Sequence, residues 1–259
     1  MKKFKQVAIN SARLAGKISL KYFNNLKRIK VTKKGKHDIV TKADLEANKV
    51  IIHTIKKSFP DHDILSEETG WEDNPGDYKW VIDPIDGTTN FTVHIPLFCT
   101  AISLIYKEKI LLSVIYAPFS DELFYAEQGQ GAYLNNKKIK VSTTKKLDEA
   151  YIFIGRGHGQ PVYRNFIKMQ RKLREDVVNI RLIGSASMSL AYVAAGRTDS
   201  YLRVPPNVSL WDSAAGVLMV TEAGGKVTDF KGRHWQFNGQ GLVATNKVLH
   251  WELIKRLNL

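Results

Sequence analysis

Apolar residues Phe4, Val7, Ala8, Leu14, Ala15, Ile18 and Tyr22 recur at helical spacing, which predicts an amphipathic helix over residues 4–26. Thr41-Lys42-Ala43-Asp44 has the pattern of a capping box and introduces a second helix through Leu45, Ile51, Ile52 and Ile55 that stops before Pro60. A short strand at 63–66 follows, ending in Glu67 and Glu68; strand alternation lets only one of them face inward, leaving Glu68 as the solvated neighbour. Trp80-Val81-Ile82 reads as a short buried strand. LFCTAISLIY and ILLSVIYAP, parted by KEK, read as a hairpin of a large, mainly antiparallel sheet, with later turns near Asp121, Gly129 and Asn135-Asn136. Beyond this, helical patterns at 162–173, 187–195, 211–222 and 247–257 alternate with strands near Ile152, Ile180, Tyr201, Lys226 and Leu242. That is α/β organisation. No repeat, low-complexity segment or linker parts the halves, 1–147 and 148–259, so one domain spanning 1–259 with a shared site is expected.

Composition narrows the function classes. With 44% hydrophobic residues the 259-residue chain can bury a large core, and no apolar run approaches the roughly 20 residues needed to span a bilayer. A cytoplasmic protein without a membrane partner is expected. The one cysteine, Cys99, lies in an apolar run and suits a small buried side chain better than a nucleophile. A net charge of +14 favours anionic partners, whether phosphorylated small molecules or nucleic acid. The basic stretch 27–36 has few aromatics and no zinc-ligand pattern, so nucleic acid is not favoured; the stretch is either a solvated loop or a cover that draws polyanions to a site.

Candidate chemistry concentrates in WVIDPIDGTTNF, residues 80–91. A buried strand ends in Asp83, and Asp86 follows three residues later. Like charges so close repel, and burial raises the cost further, so the pair calls for a cation. Gly87 permits a tight turn, and Thr88, Thr89 and Asn90 start helices whose free N–H groups can receive an anion. Asp212 in WDSAAG can act as a helix N-cap, and Asp44 either caps its helix or faces a charged site. None of the seven histidines is required by a pattern; His62 and His94 are read as structural or surface residues.

DIVTKAD, SEE, WVIDPIDGTTNF and LWDSAAG, in this order and approximate spacing, resemble the inositol monophosphatase family of metal-dependent, lithium-sensitive phosphomonoesterases. NFTVHIP, GQGAYLN and IGSASMSLAYVAAGRTDSY extend the resemblance over most of the chain. Phosphatases with an aspartate nucleophile separate their two aspartates by one residue, whereas Pro84 and Ile85 both intervene here. The resemblance implies an α/β (α+β) fold layered αβαβα, of the type shared with fructose bisphosphatase, and a homodimer. It implies two magnesium ions, with room for a third near Glu67: one held by Glu67, Asp83 and the carbonyl of Ile85, the other by Asp83, Asp86 and Asp212. Thr88 would orient the attacking water, with Asp44 accepting its proton and Glu67 among the catalytic groups. Gly87 and Thr88 N–H groups would hold the phosphate.

For the substrate's alcohol portion the resemblance points to Asp86, Gly184, Ser185, Ala186 and Asp212, although Gly184 could end a strand and Ser185 cap a helix. The implied substrate is inositol monophosphate or a related sugar phosphate, with fructose bisphosphate, adenosine 3′,5′-bisphosphate and NADP as alternatives. Inositol-specific relatives place a glutamate on the strand before the WD motif; residues 200–211 contain no carboxylate, and Pro205 takes that place. Arg203 either faces the site, answering a second negative group, or is an exposed strand-end residue. A nucleic-acid-binding or regulatory protein on the same fold is the alternative of another class.

Overall fold

The computed structural model describes residues 1–25, 31–33, 39–72, 76–156, 160–204, 208–237 and 241–257. Pro205 and the basic stretch 27–36, apart from 31–33, lie outside the described residues. The chain opens with α1 (Lys2–Phe23), a two-stranded ladder of β1 (Val31–Lys33) and β2 (Ile39–Thr41), and α2 (Lys42–Ser58). There follow β3 (Asp63–Ser66), β4 (Gly70–Glu72), β5 (Tyr78–Asp86), α3 (Thr88–Thr92), β6 (Cys99–Tyr106) and β7 (Lys109–Ala117). Next come β8 (Glu122–Glu127), β9 (Gly131–Leu134), β10 (Lys137–Ile139), β11 (Tyr151–Gly155), α4 (Gln160–Leu173), β12 (Asn179–Arg181) and α5 (Ala186–Ala194). The chain closes with β13 (Ser200–Arg203), α6 (Leu210–Glu222), β14 (Lys226–Thr228), β15 (Leu242–Thr245) and α7 (His250–Leu257).

Two sheets carry the architecture. Eight strands run in the order β10-β9-β8-β7-β6-β5-β3-β4, antiparallel except where β3 pairs with β5; five run β12-β11-β13-β15-β14, with β11 parallel to both its neighbours. Three apolar cores hold together five layers, αβαβα, the middle one serving both faces of the central helices. One packs α1 and α2 on the large sheet, through Ala12, Ala47, Trp80 and Ile102. The middle one sandwiches α5 and α6 between the sheets, and the third packs α4 and α7 on the small sheet through Met169, Leu202 and Leu253.

Position in these layers explains the helices' sequences. α1 buries a face of small residues, Ala8, Ala12, Ala15 and Gly16, while Leu14 and Ile18 are half-buried beside it. A Cβ on Gly16 would run into the Tyr116 ring, so small residues let this helix lie flat on β7. α5 and α6, covered by sheets on both sides, are apolar or small almost all round. At their crossing Gly216 meets Leu190, and a Cβ there would collide with that side chain.

Candidate active site

β5 runs further than its apolar core, because Asp83 and Asp86 are both still strand. Asp83 pairs with Ala101 and Asp86 with Cys99, so Pro84 and Ile85 together oppose Thr100 in a β-bulge. A bulge suits proline, which has no N–H for the ladder, and Thr100 Oγ1 donates to the Pro84 carbonyl at 2.9 Å. Gly87 follows with φ +100°, pressed against the Leu97 carbonyl and Phe98 where a side chain would not fit.

Asp83, Asp86 and Asp212 converge, each offering a carboxylate oxygen within 4.8 Å of the others. Glu67, whose backbone N–H donates to the Ile82 carbonyl at 3.1 Å, places its side chain on the same cavity. Burial first, then the charges of Glu67, Asp86 and Asp212, pushes the pKa of Asp83 well above the usual carboxylate range. Its Oδ1 is buried without a hydrogen-bond partner. Asp86 is pushed up to about 6, by burial and then by Asp212, against the opposing pull of its donors. Those donors are Ser185 Oγ at 2.8 Å, Ser187 N at 2.5 Å and Ala186 N at 3.3 Å. An oxygen-only cluster with one orphaned buried carboxylate oxygen fits a hard divalent cation such as magnesium.

Asp44 has two engagements. Its Oδ2 accepts from Thr41 N at 2.8 Å and Thr41 Oγ1 at 2.5 Å, completing the capping box of α2. Its Oδ1 accepts from Thr88 Oγ1 at 3.2 Å, and that hydroxyl also reaches the Ile85 carbonyl at 2.9 Å. Burial raises the Asp44 pKa to about 6; the Thr41 hydrogen bonds oppose the rise and the charge of Glu68 adds to it. Glu68 is therefore not the solvated residue that strand alternation suggests. It is half-buried, because β3 has ended at Ser66 and alternation no longer governs the next two residues.

For two residues the structure decides between the readings left open. Asp212 is not an N-cap: α6 begins after Ser209, and Asp212 sits in its first turn with its carboxylate in the cluster. Arg203 is not an exposed strand end; its side chain is 14% exposed and Nη2 donates to Asp212 Oδ2 at 3.1 Å. Ser185 does cap α5, its Oγ accepting from Met188 N at 3.3 Å while also donating to Asp86. Gly184 has φ +74° and abuts the Asn90 amide, which donates to Leu97 O at 2.8 Å and Ile183 O at 2.7 Å and so ties the α3 turn to the second half. Cys99 is buried, its thiol pKa raised by burial, and His62 stacks between Phe59 and Tyr78 while accepting from Trp80 Nε1 at 3.0 Å. His94 is exposed.

The cavity has a volume of about 410 Å³ and is lined from both sheets. Besides Glu67, Ile85, Gly87, Thr88, Gly184 and Ala186, it exposes Gly155, Arg156 and Tyr201. Sequence reasoning missed these last three. The signal was weak, since only the glycine-arginine end of β11 hints at them.

A family model for the inositol monophosphatase family matches residues 1–258. The chain is 40% identical over 242 residues to the Nus factor SuhB of Escherichia coli strain K12, covering 93% of this chain and 90% of that protein. It is 37% identical over 251 residues to an inositol-1-monophosphatase of Mesorhizobium japonicum, covering 96% and 94%. Among solved structures, the extragenic suppressor protein suhB of Bartonella henselae matches with a TM-score of 0.95 at 36% identity, covering 99% of this chain and 98% of that one. An IMPase of Thermotoga maritima matches at 0.90 and 35%, covering 100% and 97%. Sequence and fold agree over almost the entire length, and the chain belongs to the inositol monophosphatase family of phosphatases.

Proposed function

We infer that the protein is a magnesium-dependent phosphomonoesterase acting on a small phosphorylated metabolite, inositol monophosphate or a sugar phosphate in the first place. Fructose bisphosphate, adenosine 3′,5′-bisphosphate and NADP are the alternatives. The observation that carries the magnesium dependence is the buried, partnerless Oδ1 of Asp83 amid three other carboxylates. Glu67, Asp83 and the Ile85 carbonyl would hold one magnesium, and Asp83, Asp86 and Asp212 a second. Bound there, magnesium supplies Lewis-acid polarisation of the phosphoryl group and positive charge for the leaving alkoxide.

The chain's own groups do the rest. A water donating to Thr88 Oγ1 passes its proton along the hydrogen bond from that hydroxyl to Asp44 Oδ1, as its oxygen bonds to phosphorus and the ester P–O bond breaks. With a pKa near 6, Asp44 is ionised at neutral pH and more basic than an exposed carboxylate. The N–H groups of Gly87 and Thr88 hold the phosphate oxygens. Ser185 and the N–H of Ser187 keep Asp86 aimed into the cluster. The same resemblance supports a homodimer; no helix among the described residues is long and apolar enough to cross a membrane.

The test is phosphate release with and without magnesium from inositol 1-phosphate, fructose bisphosphate, adenosine 3′,5′-bisphosphate and NADP. Magnesium-dependent release from one of them is expected, and none from all four would remove the reading. A second role, regulatory or in nucleic-acid binding, is favoured by the net charge of +14 and by the relative named Nus factor SuhB. It predicts salt-dependent RNA retention that persists when the cluster aspartates are replaced.

A further inference from the structure

Beside Asp212, the cavity wall changes sign. β11 and β13 run parallel and end together there, with Gly155 paired to Arg203 and Arg156 next along the chain. The carboxyl ends of neighbouring parallel strands are where an α/β sheet presents groups to a ligand. Arg156 is exposed and, among the described residues, no acidic side chain pairs with it. Arg203 is packed in place. A Cβ on Gly155 would come within 2.9 Å of Arg203 Cδ and would also clash with the Tyr201 hydroxyl, so the glycine is what lets this arginine lie across the strand into the cavity. Asp212 answers part of its charge, while its buried Nε has no acceptor among the described residues. Hydroxyls of a neutral polyol would answer two guanidinium groups poorly. Their planar forks match carboxylate and phosphate, and such charge-assisted bonds are roughly twice as strong as neutral ones.

We propose that the substrate class is a phosphate monoester bearing a second anionic group, a carboxylate or another phosphate, received by Arg156 and Arg203 on the Asp212 side of the carboxylate cluster. The proposal rests on the phosphatase reading above and moves its preference from inositol monophosphate to doubly anionic esters. At about 410 Å³ the cavity is of ordinary size for a small ligand.

The experiment uses matched esters in magnesium: glycerol 2-phosphate against 2-phosphoglycerate, and fructose 1-phosphate against fructose 1,6-bisphosphate. In at least one pair the doubly anionic ester should have a kcat/KM roughly tenfold or more higher, the scale of one charged hydrogen bond. Which pair shows it separates carboxylate from phosphate. Arg156→Gln and Arg203→Gln should each pull that ratio toward one, chiefly through KM, a change that a merely structural role would not produce. If Arg203→Gln does not fold, Arg156→Gln, at an exposed position, decides alone. A wild-type ratio near one in both pairs, or a ratio that survives in every folded variant, overturns the proposal. If inositol 1-phosphate is cleaved and none of the four esters is, the proposal fails and the phosphatase reading stands; if nothing is cleaved, both fail.

Discussion

The wall of the cavity built by the large sheet gathers negative charge that the fold leaves partly unanswered, whereas the wall built by the small sheet holds its positive charge on packed or solvated side chains. Asp83 and Asp86 make the contrast sharper, since they leave the same strand three residues apart and are both buried. Asp86 has three donors from the start of α5; Asp83 Oδ1 has none. Those donors offset part of the cost of burying Asp86 as an anion, and none does so at Asp83 Oδ1. Holding the cluster ionised is therefore costlier at Asp83 than at Asp86.

The largest effect expected is at Asp83. Asp83→Asn should nearly abolish magnesium-dependent phosphate release, yet raise the melting temperature of the metal-free protein, because it removes a buried like charge. A variant that keeps wild-type turnover, or that melts lower without metal, would break the contrast.

Next is the pH dependence of the metal-free protein. Asp44 and Asp86 have folded pKa values near 6, above the usual carboxylate value of about 4, so the folded state binds extra protons between these limits. The stability they contribute is fully present below about pH 4 and is lost as pH rises through about 6, roughly 3 kcal/mol from Asp44 alone. His250, buried and held down to about 4 by burial and by the charge of Lys226, acts in the opposite sense: its contribution is lost as pH falls. The measurement is thus a difference. Melting curves of the wild type minus those of Asp44→Asn, in a chelator, should show the Asp44 loss between pH 4 and 7, and magnesium should recover stability at pH 7.

Thr88→Ala should lower turnover roughly a hundredfold while magnesium binding, followed by calorimetry, stays near wild type. Equal losses of both would mean that Thr88 shapes the cluster rather than the water. The smallest effect should come from Ser185→Ala, which removes the α5 cap and one donor to Asp86. It should cost about 1–2 kcal/mol in denaturant unfolding and make Asp86 behave more like Asp83.

How much of this was readable in the residues divides along the same line. The β5 end, the bulge-forming Pro84 and the Gly87 turn are encoded within a dozen consecutive residues, and so is the capping box at Thr41 and Asp44. The hairpin of β6 and β7 and the helices of the second half also follow local periodicity. What was not readable depends on partners far away in sequence. Ser185 and Asp86 are 99 residues apart, and Arg203 is drawn into the cavity by a glycine on another strand. Asp212, taken alone, suits a helix end as well as a charged cluster, and only the neighbouring carboxylates distinguish the two. Glu68 was misread because a period of two was carried past the last residue of β3.

The crossing of α5 and α6 at Gly216 has a consequence that reaches beyond packing. Ser185, which steadies Asp86, stands at the head of one helix, and Asp212 lies in the first turn of the other. Their separation is thus gauged where the Leu190 side chain of one helix rests on the bare Gly216 backbone of the other, so the spacing of the two helix starts depends on a residue that offers no side chain to the cluster. Even a single methyl group there would act as a shim, moving one jaw of the site relative to the other while leaving every reacting group in the chain.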